Sequence, residues 1–260
     1  SSAASDVYKR QPTSGGLATG LKSFHSEGKS LWVGWPGVSS DSLDKKSKRQ
    51  INEDLLDKQF CPVFLNELEL DNFYFGFSNK CLWPLFHYFI EFSIFNESHW
   101  ESYVDVNQKF ANRVLENIET GDTVWIHDYQ LLLCPQMIRD VRPDVHIGFF
   151  LHIPFPSKEN FTALPDHREL AECLFDYDVI GFQTKGFVLA FLDYVVRELG
   201  GVVEKDGFVF ALGKRVFVRN YPISIDTEAF QLFASGSESS NHVKRLYQSL
   251  SQGSLMIGVD

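Results

Sequence analysis

Two stretches of the chain carry its clearest hydrophobic signature, Thr123 to Tyr129 and Ile147 to Pro156. Each is a β-branched and aromatic run that stops abruptly at polar or proline-rich residues, as a buried parallel strand does at its carboxyl end. Open α/β sheets bind ligands at that end. The pattern of Leu131 to Arg142 between them predicts a crossover helix, so Asp128 and His152 fall at the mouths of two neighbouring strands. An acid and an imidazole delivered to one crevice point to a site for a polar small molecule.

The rest of the pattern extends the same architecture. Ser14 to Leu21 is a glycine turn entering a helix that runs to about His25, and Leu31 to Trp35 is a strand closed by Pro36-Gly37. Cys61 to Leu65 reads as a short strand and Glu67 to Phe77 as a helix. Trp100 to Ile118 is an amphipathic helix with Tyr103, Val106, Phe110, Val114 and Ile118 on one face. Asp166 to Phe175 is helical, and Asp178 to Phe182 is a strand. Thr184 can cap a helix whose apolar positions run from Phe187 to Leu199 and stop at Gly200-Gly201. Val202-Val203, Phe208 to Phe210 and Val216 to Val218 are short strands punctuated by Asp206-Gly207 and Gly213. The polar segment from Ser39 to Gln59, with Lys45-Lys46-Ser47-Lys48-Arg49, reads as a solvated surface excursion. The fold class this predicts is α/β, a Rossmann-like doubly wound parallel sheet.

Three divisions are expected. Residues 1–11 lack periodicity and read as a leader of non-native appearance, residues 12–225 as the Rossmann-like domain, and residues 226–260 as a linker helix followed by the apolar run Leu255 to Asp260, which has the form of the first strand of a second domain. A net charge of −10 over 260 residues argues against a general nucleic-acid or anionic-membrane binder, which needs a basic face. The aromatic run from Cys81 to Phe95 is interrupted by His87 and Glu91 and falls short of the roughly 20 apolar residues of a spanning helix. The four cysteines, Cys61, Cys81, Cys134 and Cys173, have no C-x-x-C spacing, which fits neither a zinc site nor a disulfide framework and suits a reducing, cytoplasmic setting.

Several residues could carry chemistry. The Gly15-Gly16 turn offers backbone N–H groups and a helix dipole to an anion, although a plain turn uses glycine in the same way. Asp128 can accept two sugar-hydroxyl hydrogen bonds or, equally, cap the helix that starts near Leu131. His152 stands between an apolar strand and Ile153-Pro154-Phe155-Pro156, where prolines stiffen the loop, and is placed to act as acid, donor or electrostatic stabiliser. Tyr74 and Trp83, with Ser78-Asn79 between them, could form a platform for a sugar ring or pack in the core.

In combination these segments resemble a known family. Ser14-Gly15-Gly16-Leu17-Ala18, Leu31 to Trp35, Phe77-Ser78-Asn79, Leu82-Trp83-Pro84, Phe86-His87-Tyr88, Trp125 to Tyr129, Gly148 to Pro156, Asp176-Tyr177-Asp178 and Gly181 to Thr184 come in the order and spacing of the amino-terminal half of the trehalose-6-phosphate synthases, glycosyltransferase family 20. The resemblance runs from about Pro12 to Asp260. It implies the acceptor-side domain of a GT-B enzyme, a retaining transfer of glucose from UDP-glucose to glucose 6-phosphate, and neither metal ion nor cofactor. It leaves a homo-oligomer open and implies no nucleic-acid or membrane partner. By the same resemblance Gly16 belongs to a loop closing over the donor phosphates, Tyr74, Trp83 and Asp128 to the acceptor site, and His152 to the transferred sugar near its 6-hydroxyl. Asp128 and His152 are thus the expected catalytic residues, His152 by positioning more than by proton transfer, since the family is assigned no protein nucleophile. The alternatives are a sister activity on glycerol 3-phosphate and a non-catalytic regulatory subunit.

The departures from the family pattern are specific. The family's opening Ser-Asn-Arg-Leu-Pro, whose arginine binds the acceptor phosphate, is matched only loosely, by Arg10. A second histidine after Asp-Tyr is replaced by Gln130, which keeps hydrogen bonding and loses titration. The arginine and lysine that neutralise the leaving diphosphate follow the family's equivalent of Val259-Asp260, so residues 1–260 by themselves are expected to be inactive.

Overall fold

Trp32–Gly34 (β1) and Phe60–Pro62 (β2) pair in parallel in the computed structural model, which describes residues 30–224, 226–237 and 240–249. The polar segment between them is largely helical, and its helix buries no residue, as the solvated charge run suggests. Asp44 caps Lys45–Leu56 (α1) by accepting a hydrogen bond from the Ser47 N–H, and Arg49 pairs with Glu53 one turn on. No residue of α1 is buried, so a good cap and i,i+4 pairs accompany the helix where an apolar face does not.

The next helical run is longer than the predicted Glu67 to Phe77. A capping box formed by Asn66 and Glu69 starts it at Glu67–Glu69, Leu70–Leu82 continues it with π-helical geometry, and Trp83–Phe86 completes it; together these make α2. Extended π geometry is rare and concentrates at functional sites. Tyr74 and Trp83 both belong to this run. Glu97–Leu115 (α3) begins three residues before the predicted Trp100 because Asn96 caps it through the Ser98 N–H. It buries Tyr103, Val106 and Phe110 of the expected face together with Asn107 and Ala111, while Val114 is partly buried and Ile118 lies beyond the helix end.

The main sheet contains β3 (Thr123–His127), β4 (His146–Leu151), β5 (Val179–Phe182), β6 (Val202–Val203), β7 (Phe208–Ala211) and β8 (Lys214–Asn220) in the spatial order β3-β4-β5-β8-β7-β6. The first four in that order are parallel. Helices Cys134–Arg139 (α4), His167–Leu174 (α5) and Lys185–Glu198 (α6) lie in the crossovers, and Thr184 caps α6 through the Phe187 N–H. β6 and β7 add an antiparallel edge, because Leu212 and Gly213, both at positive φ, make the two-residue turn that folds β7 back on β8. The α/β class and parallel strands are those expected, with this antiparallel margin.

The strands are buried through alternate residues such as Val124 and Ile126, and in β4 almost continuously. Packing is close at Gly181, where an added Cβ would lie 2.8 Å from the Phe150 ring and 3.3 Å from the Phe149 carbonyl oxygen. Gly181→Ala is expected to lower unfolding stability by about 1–3 kcal/mol, the usual cost of overpacking, read as a lower urea midpoint at unchanged slope.

The chain divides into compact units between Pro222 and Ile223. Beyond that point Thr227–Ser237 (α7) and Asn241–Ser249 (α8) are helices, where one linker helix was expected. The Gly16 turn, residues 1–11 and the run 255–260 lie outside the described residues. No helix among the described residues is long and apolar enough to cross a membrane.

Candidate active site

β3 and β4 run side by side with His127 opposite Phe150, so the residues just beyond that register, Asp128 and His152, emerge together. The Asp128 N–H extends the ladder by donating to the Phe150 carbonyl at 2.9 Å, and the His152 N–H donates to Asp128 Oδ1 at 3.3 Å. Asp128 adopts φ 67° and ψ 174°, a region that costs a non-glycine residue roughly 1–3 kcal/mol and persists only where the surroundings enforce it. Its carboxylate makes no capping hydrogen bond to the following turn. Of the two readings left open, the cap is therefore removed, and the acid is directed to the β4 exit.

His127 and His152 meet across the two strands, with Nδ1 of His127 3.1 Å from Nε2 of His152. Aromatic rings close around them, Trp125 against His127 at 4.5 Å and Phe150 edge-on to His152 at 4.7 Å between centroids. Burial sets the ionisation of all three polar groups. It pushes the Asp128 carboxyl up to about 6, with the N–H groups of His152, Tyr129 and Ile153 acting in the opposite sense. It holds His127 down to about 4, helped by the neighbouring His152, and lowers His152 as well. At neutral pH the cluster is one carboxylate beside two neutral imidazoles. Such a set can accept from hydroxyls and donate to them without a fixed positive charge.

The turn after β3 is held from below by residues that the apolar pattern disguised. The Tyr103 hydroxyl donates to the Tyr129 carbonyl at 2.7 Å and accepts from the Leu132 N–H at 3.2 Å. Asn107 donates to the Gln130 carbonyl at 3.0 Å and accepts from the Leu133 N–H at 3.2 Å. Both side chains are fully buried in α3. The only sequence signal was an amide one turn after Tyr103 on an otherwise apolar face. From the other side the Tyr129 hydroxyl donates to Asn79 Oδ1 at 2.8 Å, tying the turn to the π-helical part of α2.

Tyr74 approaches the strand exits from α2. With Trp35, His127 and Gln130 it lines a largely apolar cavity of about 150 Å³, floored by Leu65, Leu70, Phe73, Phe110 and Leu131. That volume is below the roughly 300–1,000 Å³ of small-molecule sites, so the cavity is a margin of the site rather than its whole. Trp83 is exposed nine residues further along and stacks on His87 with centroids 4.1 Å apart, while the Tyr74 ring meets Trp35 and Phe75. The two aromatics thus have separate ring partners. Asp128 and His152 are brought together, and Tyr74 joins them through His127. Among the described residues no group of three or more His, Cys, Asp or Glu side chains converges to hold a metal ion.

The family model for glycosyltransferase family 20 matches residues 1–260. The chain belongs to glycosyltransferase family 20. Within that family it is 38% identical over 260 residues to the UDP-forming alpha,alpha-trehalose-phosphate synthase of Pichia angusta, covering 97% of this chain and 54% of that one. Among solved structures it is similar to the Burkholderia xenovorans alpha,alpha-trehalose-phosphate synthase in complex with glucose-6-phosphate, with TM-score 0.80, 32% identity, 92% of this chain and 53% of that one. It is also similar to the E. coli trehalose-6-phosphate structure bound with UDP-2-fluoro glucose, with TM-score 0.79, 32% identity, 93% of this chain and 52% of that one. The chain spans about half the length of these relatives.

Proposed function

We propose that this chain is the acceptor-side part of a retaining glucosyltransferase that moves glucose from UDP-glucose to glucose 6-phosphate, forming alpha,alpha-trehalose 6-phosphate and UDP. The observation that carries the reading is the strained Asp128, bonded to the His152 backbone at the mouth of adjacent parallel strands, in a chain 32% identical to a relative crystallised with glucose-6-phosphate. The relative bound with UDP-2-fluoro glucose supports the donor. Asp128 accepts hydrogen bonds from acceptor hydroxyls, and Tyr74 and Trp83 border the acceptor. His152, neutral at working pH, holds the transferred sugar by a hydrogen bond, and Gly16, outside the described residues, serves the donor phosphates. The four described cysteines are unpaired and buried, which supports a reducing, cytoplasmic setting.

The test is an assay of the full polypeptide that carries this chain. Incubation with UDP-glucose and glucose 6-phosphate should release UDP and form a non-reducing disaccharide phosphate. Product with glycerol 3-phosphate alone would transfer the reading to the sister activity. No product with either acceptor from a folded protein would favour the regulatory subunit.

A further inference from the structure

The proposed reading uses His152 and leaves its ring partner unexplained. His127 ends β3 with Nδ1 3.1 Å from Nε2 of His152, the two ring planes 36° apart and their centroids 5.4 Å apart. The surroundings offer the pair little else to bond. Trp125 and Phe150 pack on the two rings, and the cavity beside His127 is polar only at Tyr74 and Gln130 and at the indole edge of Trp35. The nearby carboxylate, Asp128, accepts from the His152 backbone N–H at 3.3 Å.

We infer that His127 is a positioning residue that holds His152 in one ring orientation and one tautomer, so that His152 presents Nδ1 to the substrate. With both rings neutral, one proton is shared on the line between His127 Nδ1 and His152 Nε2. If His127 donates, His152 accepts at Nε2 and must carry its own proton on Nδ1. If His152 donates, its Nδ1 is an acceptor and His127 carries its proton on Nε2. In either arrangement both rings are the same tautomer, both protonated on Nδ1 or both on Nε2. A partner that fixes ring orientation and tautomer is the usual device for making an imidazole selective, and in a dry site its hydrogen bond is strong. The inference rests on the proposed role of His152 for its effect on turnover, and on geometry alone for the tautomer.

The two parts are measured separately. In the 260-residue chain labelled with 15N-histidine, His127 and His152 should both be neutral at pH 7.5 and should show matching tautomers. In His127→Phe, His152 should shift toward the averaged resonances of a free ring; in His127→Asn, whose amide reaches the place of Nδ1, a single tautomer should return. In the full polypeptide His127→Phe should lower kcat about tenfold with a smaller change in KM for glucose 6-phosphate, and His127→Asn should recover part of it. Opposite tautomers in the wild-type chain, or His152 resonances indifferent to His127→Phe in a variant with wild-type melting, would overturn the inference. If His127→Phe does not fold, failure of a folded His127→Asn to keep one His152 tautomer overturns it. A wild-type polypeptide that makes no trehalose phosphate would sink the proposed function and leave the tautomer result standing.

Discussion

Asp128→Asn in the full polypeptide is expected to lower turnover of glucose 6-phosphate by roughly ten- to hundredfold while leaving the fold intact. A charge-assisted hydrogen bond contributes about 1.5–3 kcal/mol, and the amide keeps the shape and an acceptor oxygen but loses the charge. Stability should move the other way. Burial raises the carboxyl from 3.8 to about 6, so its contribution to folding is fully present below about 3.8 and is lost as pH rises through about 6. At pH 8 the ionised group is a cost, and Asn removes that cost while still accepting from the His152 N–H. The variant should therefore melt at or above the wild-type temperature at pH 8, and its stability should vary less between pH 4 and 6. Activity of the wild type should fall below about pH 6 as Asp128 protonates. The acceptor phosphate also ionises near 6, so the profile of the variant, which retains only that limb, is the control. A variant that melts well below wild type at pH 8 with undiminished turnover would return Asp128 to a purely structural role.

Asn107→Leu should be the most damaging single change to the frame of the site. It strands the Gln130 carbonyl and the Leu133 N–H in a buried turn, each at about 1–3 kcal/mol, where Leu supplies volume but no hydrogen bond. The sum, roughly 2–6 kcal/mol, corresponds to a fall in Tm of about 4–24 °C for a chain of this size. Gln108→Leu, one residue away on an exposed position where the amide bonds only Asn112, should stay close to wild type. Equal melting of the two variants would show that the turn after β3 does not depend on the α3 amide. Because that turn follows Asp128 directly, the Asn107 variant should also lose acceptor turnover at temperatures where it remains folded.

The strands at 123–127 and 146–151 and the helix behind them were legible because their period and composition are dictated locally: a buried strand needs a continuous apolar run, and α3 needs one apolar stripe. The placement of Asp128 and His152 at strand mouths followed from where those runs stop. Thr184 was readable as a cap because capping involves only the next three residues. Other features depend on partners far along the chain. α1 read as a solvated charge run because it buries nothing, and its helix buries no apolar stripe but has a cap and an i,i+4 ion pair. The π-helical widening of α2 cannot be read from a 3.6-residue period, which is why a helix ending at Phe77 was expected.

The choice between a cap and a ligand-facing acid at Asp128 had no local answer, since both use the same residue at the same spacing. The cap is removed by the structure, where the carboxylate accepts from the backbone at the β4 exit 24 residues away, and facing a ligand is the proposed role. The same holds for His127, which as a strand-end histidine is unremarkable until parallel pairing sets it against His152. Periodicity along one chain determined the elements and their polar ends, because hydrophobic burial and capping are short-range in sequence. Which polar ends share a proton, which backbone groups they satisfy and how far burial moves their ionisation were decided only by the tertiary structure, because hydrogen bonds and desolvation act between groups near in space and distant in sequence.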